Sequence, residues 1–339
     1  MLDFSCDYNC GCAEEILLEL SKANAEAHKT YGFDEYSGRA KEKLKEAVGN
    51  ENADIYFLAG GTQTNAAALS FFLRPCQGVL CAETGHINVH ESGAIEGTSH
   101  KVLPVRNGEM GKIDIVALKE WLRNFYSDAT YPHMVQPGAV YISHPTEYGG
   151  IYSKAELEEI RKVCDEYNLY LYLDGARLAY ALESEKTDVT LKDLGKLCDA
   201  FYIGGTKCGA MLGEALIFRE KAPLFFTHRK RMGGLLAKGY IIGLQFDVLF
   251  TDGLYHKLGK NAVECAMRLK NALKEKNIEF LCDSPTNQQF IVLSDEEIKK
   301  FDGKIGYDIW EKKGEKTAIR LCTSWRTTKE ETDELISLF

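Results

Sequence analysis

The chain has 339 residues, of which 45% are hydrophobic and 27% charged, and this composition excludes a disordered tail, a collagen-like repeat and a coiled coil. Its net charge of −9 and its lack of a dense Lys/Arg block argue against nucleic acid as a main partner. The start of the chain lacks the basic and apolar segments of a signal peptide, and polar residues interrupt the longest uncharged stretch, 55–73. We therefore expect a cytoplasmic protein that does not cross a membrane.

Seven short apolar runs, each bounded by Gly, Asp or Pro, predict buried β-strands. They lie at residues 54–58, 78–82, 101–105, 139–143, 169–174, 199–203 and 214–218. Helical-period segments separate them, most clearly at 153–167, where Ser153 and Glu156 have the spacing of a capping box. This alternation predicts an α/β fold with a mostly parallel sheet sandwiched by helices.

The pattern changes after about residue 250. A long helical segment at 258–276 precedes predicted strands at 289–293 and 317–323 and a final helix from Lys329. We therefore expect two domains. Residues 1–249 would comprise an N-terminal arm and a large α/β domain, and residues 250–339 a small C-terminal α+β domain.

Eleven cysteines are scattered through the chain. Their odd number, together with the lack of an export signal, favours reduced thiols. The one cluster, Cys6, Cys10 and Cys12, lacks the C-x2-C pairs of tetrahedral zinc sites. We therefore expect no metal site.

Unusual residues follow several predicted strands, and the carboxyl ends of parallel strands are where α/β sheets bind ligands. Residues 60–62, Gly-Gly-Thr, can cradle an anion at a helix N-terminus. Asp174 ends another predicted strand and Arg177 lies just after it, and Lys207 follows Gly-Gly-Thr after the next strand. A glycine turn, a surface ion pair and a solvated lysine are the plainer interpretations of the three turns taken singly.

Together these turns indicate a cofactor. Pyridoxal 5'-phosphate needs a lysine that bonds to its aldehyde, a carboxylate that keeps its pyridine nitrogen protonated, and a cradle for its phosphate. Lys207, Asp174 and residues 60–62 supply these three functions, with the carboxylate on the strand before that of the lysine.

Residues 84–94 add three polar side chains after the second predicted strand. His86 is placed to stack on a flat ring, and His90 and Glu91 are placed to reach a substrate. A single histidine near a strand end is more often a core residue with its hydrogen bonds satisfied. This segment therefore supports a cofactor site only in combination with the other turns.

Seven motifs, in this order and spacing, resemble the low-specificity L-threonine aldolase family of pyridoxal-phosphate enzymes. They are LAGGTQTN, TGHINVHESGAIE, YISHPTEYGG, LYLDGARLA, FYIGGTKCGA, RMGGLLAKG and AIRLCTSW. The resemblance runs from about residue 3 to the C-terminus and implies the aspartate aminotransferase-like fold type I. It also implies cleavage of L-threonine or L-allo-threonine to glycine and acetaldehyde, in a homotetramer built as a dimer of dimers with active sites at subunit interfaces.

The resemblance further implies roles for single residues. Lys207 matches the lysine that bonds to the cofactor, Asp174 the partner of the pyridine nitrogen, and His86 the ring-stacking histidine. Arg177 matches the arginine near the cofactor's phenolic oxygen and the substrate carboxylate. Arg320 matches the small-domain arginine that binds this carboxylate.

The phosphate group of the cofactor has its own matches. Gly61 and Thr62 match the phosphate cup, and Thr206 has the hydroxyl position before the lysine. The basic residue that a neighbouring subunit brings to the phosphate matches Arg231 or Lys238.

Three positions depart from the family pattern. Cys6 stands where many members have serine, and His90 stands where tyrosine is common. Many members carry a second active-site histidine, whereas here Pro145 stands in register with it and His144 lies one residue earlier.

The resemblance implies a retro-aldol mechanism. Arg320 and Arg177 hold the substrate carboxylate so that the Cα–Cβ bond aligns with the cofactor's π-system, and a base removes the β-hydroxyl proton. His86, His90 and His144 are the candidate bases, and the sequence does not choose among them.

Two alternatives stay open. An aminotransferase or a β-elimination lyase can use the same lysine, aspartate and arginine set, because a scaffold does not fix the reaction. A non-catalytic metabolite-binding protein on the same fold is disfavoured, since it has no need of Lys207 together with Asp174 and Arg320.

Overall fold

The computed structural model describes residues 2–339 of the chain. Its strands are β1 (Leu2–Asp3), β2 (Asp54–Leu58), β3 (Gln77–Ala82), β4 (Val102–Val105), β5 (Gln136–Ser143), β6 (Tyr170–Asp174), β7 (Ala200–Gly204), β8 (Glu214–Phe218), β9 (Glu279–Phe280), β10 (Gln288–Ser294), β11 (Ile305–Gly306), β12 (Asp308–Lys313) and β13 (Lys316–Cys322). Its α-helices are α1 (Glu14–Ala23), α2 (Glu35–Val48), α3 (Gly61–Phe72), α4 (His86–Val89), α5 (Ile115–Ser127), α6 (Lys154–Glu166), α7 (Leu178–Leu182), α8 (Leu191–Leu197), α9 (Phe225–Arg231), α10 (Tyr240–Leu249), α11 (Leu254–Glu275), α12 (Asp295–Lys299) and α13 (Lys329–Ser337).

A seven-stranded sheet in the order β2-β8-β7-β6-β5-β3-β4 organises the larger part of the chain. Strands β3 to β7 pair in parallel, whereas β8 runs antiparallel to its neighbours β7 and β2. Apolar clusters lie on the two faces of the sheet, and β7 and β8 are buried along their whole length. The predicted α/β fold, with a mostly parallel sheet sandwiched by helices, is confirmed.

Short polar motifs fix the helix ends. In the predicted capping box before α6, the Glu156 amide donates to Ser153 Oγ over 3.2 Å, and the Ser153 amide donates to the Glu156 carboxylate over 2.7 Å. Helix α2 begins after Asp34, whose carboxylate accepts from the Ser37 amide. It ends at Gly49, whose φ of 63° is a left-handed conformation that glycine adopts without strain.

The predicted strands of the large sheet are all present as β2 to β8. The largest difference in their bounds is at β5, which begins at residue 136 rather than 139. The predicted strands at 289–293 and 317–323 are confirmed as β10 and β13, and the final helix begins at Lys329 as predicted.

The C-terminal part of the chain forms a four-stranded antiparallel sheet in the order β12-β13-β10-β9. Leu269 and Leu273 of α11 pack on this sheet with Leu335 of α13. Ala262 and Val263, nearer the start of α11, belong instead to the core of the large sheet. Helix α11 therefore connects the two cores.

The N-terminal arm joins the C-terminal sheet region. Strand β1 pairs in parallel with β11, and Phe4 lies in the same apolar cluster as Ile305. The expected division grouped the arm with residues 1–249, whereas in the structure the apolar side chains of Leu2 and Phe4 pack with residues beyond 250. The boundary at 249/250 stays a prediction.

The helices of residues 2–339 contain no segment with the length and apolar content needed to cross a bilayer.

Candidate active site

The carboxyl-terminal edge of the large sheet borders a cavity of about 300 Å³. The turns after β2, β3, β5, β6 and β7 all contribute to its wall. Eight of the predicted site residues line it: Gly61, Thr62, His86, Glu91, Asp174, Arg177, Thr206 and Lys207. The structure thus brings these eight together, whereas Arg320 and His90 lie outside the wall of this cavity.

Asp174, the last residue of β6, is a buried carboxylate with four hydrogen-bond donors. The donors are Tyr202 Oη at 2.6 Å, Tyr141 Oη at 2.7 Å, Asn65 Nδ2 at 2.8 Å and the Ala176 amide at 3.0 Å. Burial alone would raise the pKa of Asp174, but the neighbouring His86 and these hydrogen bonds hold it below its ordinary value. The side chain is therefore a fixed negative charge at the sheet edge.

His86 begins α4 and is oriented by a buried acid. Its Nδ1 lies 2.8 Å from Oε1 of Glu91, and the same oxygen accepts from Asn65 Nδ2 over 2.7 Å. The Tyr172 hydroxyl donates to Asn65 Oδ1 and so fixes the orientation of this amide. Burial opposes protonation of His86, yet the hydrogen bond to Glu91 and the charge of Asp174 raise its pKa.

His86, Glu91 and Asp174 form the one group of side chains in residues 2–339 whose residue types and spacing could hold a metal ion. The ligand atoms of His86, Glu91 and Asp174 all lie within 4.8 Å of one another. The amide of Asn65 stands between the two carboxylates and donates to both. The arrangement is a hydrogen-bonded cluster, because protein donors already use these acceptor atoms.

Lys207 lies in the turn that follows β7. Its Nζ is 5.7 Å from the centre of the Tyr8 ring, and within the described residues it has no hydrogen-bond partner. Burial and the charge of Arg177 lower its pKa, against the opposing charge of Asp7. A lowered pKa increases the neutral fraction of the amine, which is the form that attacks an aldehyde.

The residues that were predicted to cradle an anion lie at the N-terminus of α3. Gly60 precedes the helix, and the amides of its first turn have no partner within the helix. A Cβ atom on Gly61 would lie only 2.9 Å from the Tyr202 hydroxyl, which donates to Asp174. Glycine is therefore needed where the start of α3 approaches this tyrosine.

The Thr206 hydroxyl is used inside the lysine turn. It donates to Glu214 Oε1 over 2.8 Å and accepts from the Gly213 amide over 3.0 Å. Burial raises the pKa of Glu214 above its ordinary value, while the hydrogen bonds from Thr206 and the Gly205 amide act in the opposite direction. Thr206 and Glu214 therefore hold the turn that carries Lys207.

Arg177 is paired with an acid that the sequence did not single out. Its Nε donates to Asp7 Oδ2 over 2.7 Å and its Nη2 to Asp7 Oδ1 over 3.0 Å. Asn287 Nδ2 adds a third donor to Asp7 over 2.8 Å. The N-terminal arm thus contributes a buried carboxylate that orients the guanidinium in the cavity wall.

Arg320 has protein partners on both arms of its guanidinium. Nη1 donates to Gln288 Oε1 over 3.0 Å, and Nη2 donates to Asp308 Oδ2 over 2.8 Å. The guanidinium carbon lies 5.2 Å from the centre of the Trp310 ring. A substrate carboxylate would have to compete with Asp308 for this arginine.

Of the three candidate bases, only His86 lines the cavity. His90 is exposed, with its ring centre 5.5 Å from that of His86. His144 is fully buried, its Nδ1 accepts from the Tyr152 amide, and burial lowers its pKa to about 4. The prediction that His144 is a candidate base is therefore wrong, because its imidazole is a neutral core group.

Several polar residues of the site were not predicted: Asp7, Asn65, Tyr141, Glu147 and Tyr202. A usable signal existed for one of them, Tyr141, and for its neighbour Ser143. Tyr141 and Ser143 interrupt an otherwise apolar strand at alternate positions, which places both on one face of the sheet.

Comparison with known proteins gives consistent matches over the whole chain. Residues 3–296 match the beta-eliminating lyase family. A threonine aldolase structure from Leishmania major is 39% identical with a TM-score of 0.96, covering 100% of this chain and 98% of that one. A low specificity L-threonine aldolase from a Pseudomonas species is 29% identical over 98% of this chain and 95% of its own.

A more distant structure shares the fold. Cystalysin from Treponema denticola, which contains a pyridoxal 5'-phosphate cofactor, is 16% identical with a TM-score of 0.74 over 100% of this chain and 90% of that one.

Proposed function

The chain belongs to the beta-eliminating lyase family, and from this premise we propose that it is a pyridoxal-phosphate-dependent aldolase. It cleaves L-threonine and L-allo-threonine to glycine and acetaldehyde by breaking the Cα–Cβ bond. The observation that carries the proposal is the meeting, around one cavity, of the unpartnered Lys207 amine, the ionised Asp174 carboxylate and the glycine cradle at the start of α3.

These residues fit the cofactor. Lys207 would bond to its aldehyde carbon, Asp174 would pair with the protonated pyridine nitrogen, and the amides after Gly60 would hold the phosphate. His86, which Glu91 holds in place, would stack on the ring. When bound, pyridoxal phosphate supplies an electron sink for the pair released from the Cα–Cβ bond.

Arg177 and Arg320 are the cationic groups for the substrate carboxylate. Arg177 is already oriented by Asp7 and lies in the cavity wall. Arg320 reaches the carboxylate in exchange for its contact with Asp308. Two guanidinium groups hold a planar carboxylate in one orientation, which aligns the bond to be broken.

His86 is the residue placed to take the β-hydroxyl proton. Its Nδ1 is bound to Glu91, so Nε2 is the nitrogen left for the substrate or a bound water. Its raised pKa favours the protonated ring, so the neutral form needed for this step becomes more abundant as the pH rises.

We also propose a homo-oligomer whose active sites lie at subunit interfaces. Large apolar side chains are exposed near α9, with Phe33 66%, Leu224 77% and Leu236 39% exposed. A second copy of the chain would cover this patch and bring Arg231 or Lys238 to the phosphate of its neighbour.

The alternative, an aminotransferase or a β-elimination lyase on the same fold, is less favoured. The relatives that match over nearly full length are threonine aldolases, whereas the aminotransferase structures match at 13–15% identity and share only the fold. Incubating the holoenzyme separately with L-threonine and L-allo-threonine tests the proposal. Acetaldehyde with glycine supports it, and a keto acid with glutamate or ammonia supports the alternative.

A further inference from the structure

Glu147 is a buried acid in the cavity wall that the reaction proposed above does not use. Its side chain is 8% exposed, and its Oε1 lies 2.7 Å from the Ser143 hydroxyl. Its other oxygen, Oε2, is buried without a hydrogen-bond partner in residues 2–339. A buried carboxyl with a single donor needs an explanation, because burying an ionised carboxylate is costly unless its oxygens are satisfied.

Two hydroxyl groups join Glu147 to Asp174. Ser143 Oγ lies 3.1 Å from Tyr141 Oη, and Tyr141 Oη lies 2.7 Å from Asp174 Oδ2. Tyr141 and Ser143 alternate on β5, and Ser143 is the register partner of Asp174 on β6. The sheet thus aligns four side chains, which we term the hydroxyl relay: Glu147, Ser143, Tyr141 and Asp174.

The number of protons in the relay depends on the state of Glu147. Its three oxygen-to-oxygen contacts each need one proton, but the two hydroxyl groups together supply only two. With Glu147 ionised, Ser143 donates to it and Tyr141 donates to Asp174, which leaves the contact between the two hydroxyls without a proton. With Glu147 neutral, each group donates to the next, and every contact is satisfied.

The hydrogen-bond donors around the three buried acids, Asp174, Glu91 and Glu147, also indicate that Glu147 is the neutral one. Asp174 accepts from four groups, and Glu91 accepts from Asn65 and His86, whereas Glu147 faces only Ser143. A single imidazole, His86, stands among three carboxyl groups. A negative charge is therefore least well compensated on Glu147.

We propose that Glu147 is a neutral carboxylic acid in the resting protein and that its proton completes the hydroxyl relay: Glu147 donates to Ser143, so that Ser143 donates to Tyr141 and supports the hydrogen bond from Tyr141 to Asp174. Glu147 is thus a positioning residue, which acts on the cofactor-binding carboxylate through Ser143 and Tyr141. This part of the inference rests on the proposed function, whereas the protonation state does not.

The charges around Glu147 agree with a neutral carboxylic acid. Burial raises the pKa of Glu147, and the negative charge of Asp174 adds to this, while Ser143 and His86 act in the opposite direction. The other titratable groups that face it are Tyr141, Tyr152 and Cys81, all with pKa values raised by burial and therefore neutral.

Infrared spectroscopy of the protein without substrate tests the protonation state. At neutral pH we expect a carboxylic-acid carbonyl band in the wild type that is absent from Glu147→Gln. Glu214→Gln is the matched control, because it removes a different buried acid and leaves the Glu147 band in place. Identical acid bands in wild type and Glu147→Gln would overturn the proposal. If Glu147→Gln does not fold, Ser143→Ala replaces it, and a Glu147 band that keeps its frequency without the serine is the contradicting result.

Kinetics of the holoenzyme test the positioning role. Glu147→Leu removes the donor and should lower kcat about tenfold with little change in KM. Glu147→Gln should restore most of kcat, since its amide donates to Ser143 as the acid does. A loss on the order of 100-fold or more in Glu147→Gln would instead identify an ionised base and overturn the role. If the chain has no aldolase activity, the infrared result still reports the protonation state of Glu147. Failure of the proposed function can therefore be distinguished from failure of this inference.

Discussion

Arg177 and Asp7, 170 residues apart in the chain, form a buried two-point fork in which each guanidinium nitrogen meets its own carboxylate oxygen. The pairing ties the N-terminal arm to the end of β6 at the wall of the cavity. It presets the orientation of an arginine that we assign to the substrate carboxylate. Geometry of this kind is lost when one partner changes, even if the remaining charge is kept.

Asp7→Asn should weaken both binding and stability. The amide leaves the buried Arg177 cation without its counter-charge, so we expect a loss of about 3 kcal/mol or more in unfolding free energy, together with a raised KM for threonine. Urea unfolding and steady-state kinetics measure the two effects. Asp3→Asn, an exposed change in the same arm, is the control and should leave both nearly unchanged. Wild-type values for both quantities in Asp7→Asn would exclude the fork as a structural element.

Asp7 also predicts a pH dependence of stability. Burial raises its pKa, but Arg177 and Lys207 outweigh burial and hold the folded value below the ordinary one. The stabilisation is therefore complete above the unfolded pKa of about 4 and is lost as the pH falls through the lower, folded value. Below about pH 4, the melting temperature of the wild type should fall more steeply than that of Asp7→Asn. Parallel curves for the two proteins would contradict this.

Lys207→Ala should abolish covalent attachment of pyridoxal phosphate while leaving the fold intact, because the amine has no partner within the described residues. Borohydride reduction and peptide mapping locate the modified lysine. Lys41→Ala is a matched control. Burial lowers the pKa of Lys41 as it does that of Lys207, but Lys41 lines a different cavity. A modified residue other than Lys207 in the wild type would remove the assignment.

Asp174→Asn should keep the cofactor but lose the charge that holds its pyridine nitrogen protonated. The effect belongs to the transition state, so we expect kcat to fall on the order of 100-fold with a smaller change in KM. Stopped-flow and steady-state assays with threonine measure the separate effects on kcat and KM. Turnover near that of the wild type would show that the carboxylate has no part in the reaction.

Arg320→Lys should keep a positive charge but lose the planar fork. If Arg320 exchanges Asp308 for the substrate carboxylate, KM rises and kcat/KM falls by about tenfold or more. Asp308→Asn is the informative companion, because releasing the arginine should lower KM or leave it unchanged. Unchanged kinetics in Arg320→Lys, accompanied by a lower melting temperature, would assign this arginine to domain packing alone.

The sheet and its ligand edge were predictable because their signals are local. Apolar runs in the sequence indicate buried strands, and the residues at the carboxyl ends of β2, β6 and β7 include glycine, a carboxylate and lysine in short motifs. The antiparallel direction of β8 was also accessible, since the nine residues 205–213 before it are too few for a helical crossover. Strand β12 was missed because only one of its faces is partly buried, at the edge of the small sheet.

The polar network behind the site was not predictable from the same signals. Asn65 and Asp174 are 109 residues apart, and nothing in either motif specifies that one amide serves two acids. His144 illustrates the reverse error, since the sequence shows a histidine near a strand end but not the direction in which its ring points. Side-chain direction and proton placement depend on the assembled sheet.

The fate of threonine's carbon chain tests the central claim most directly. L-threonine labelled on every carbon is incubated with the holoenzyme and followed by NMR, with Lys207→Ala as the inactive control. Cleavage between Cα and Cβ predicts two two-carbon products in equal amounts, glycine from the carboxyl half and acetaldehyde from the methyl half. A labelled product that keeps all four carbons joined, as elimination or transamination would yield, would contradict the account.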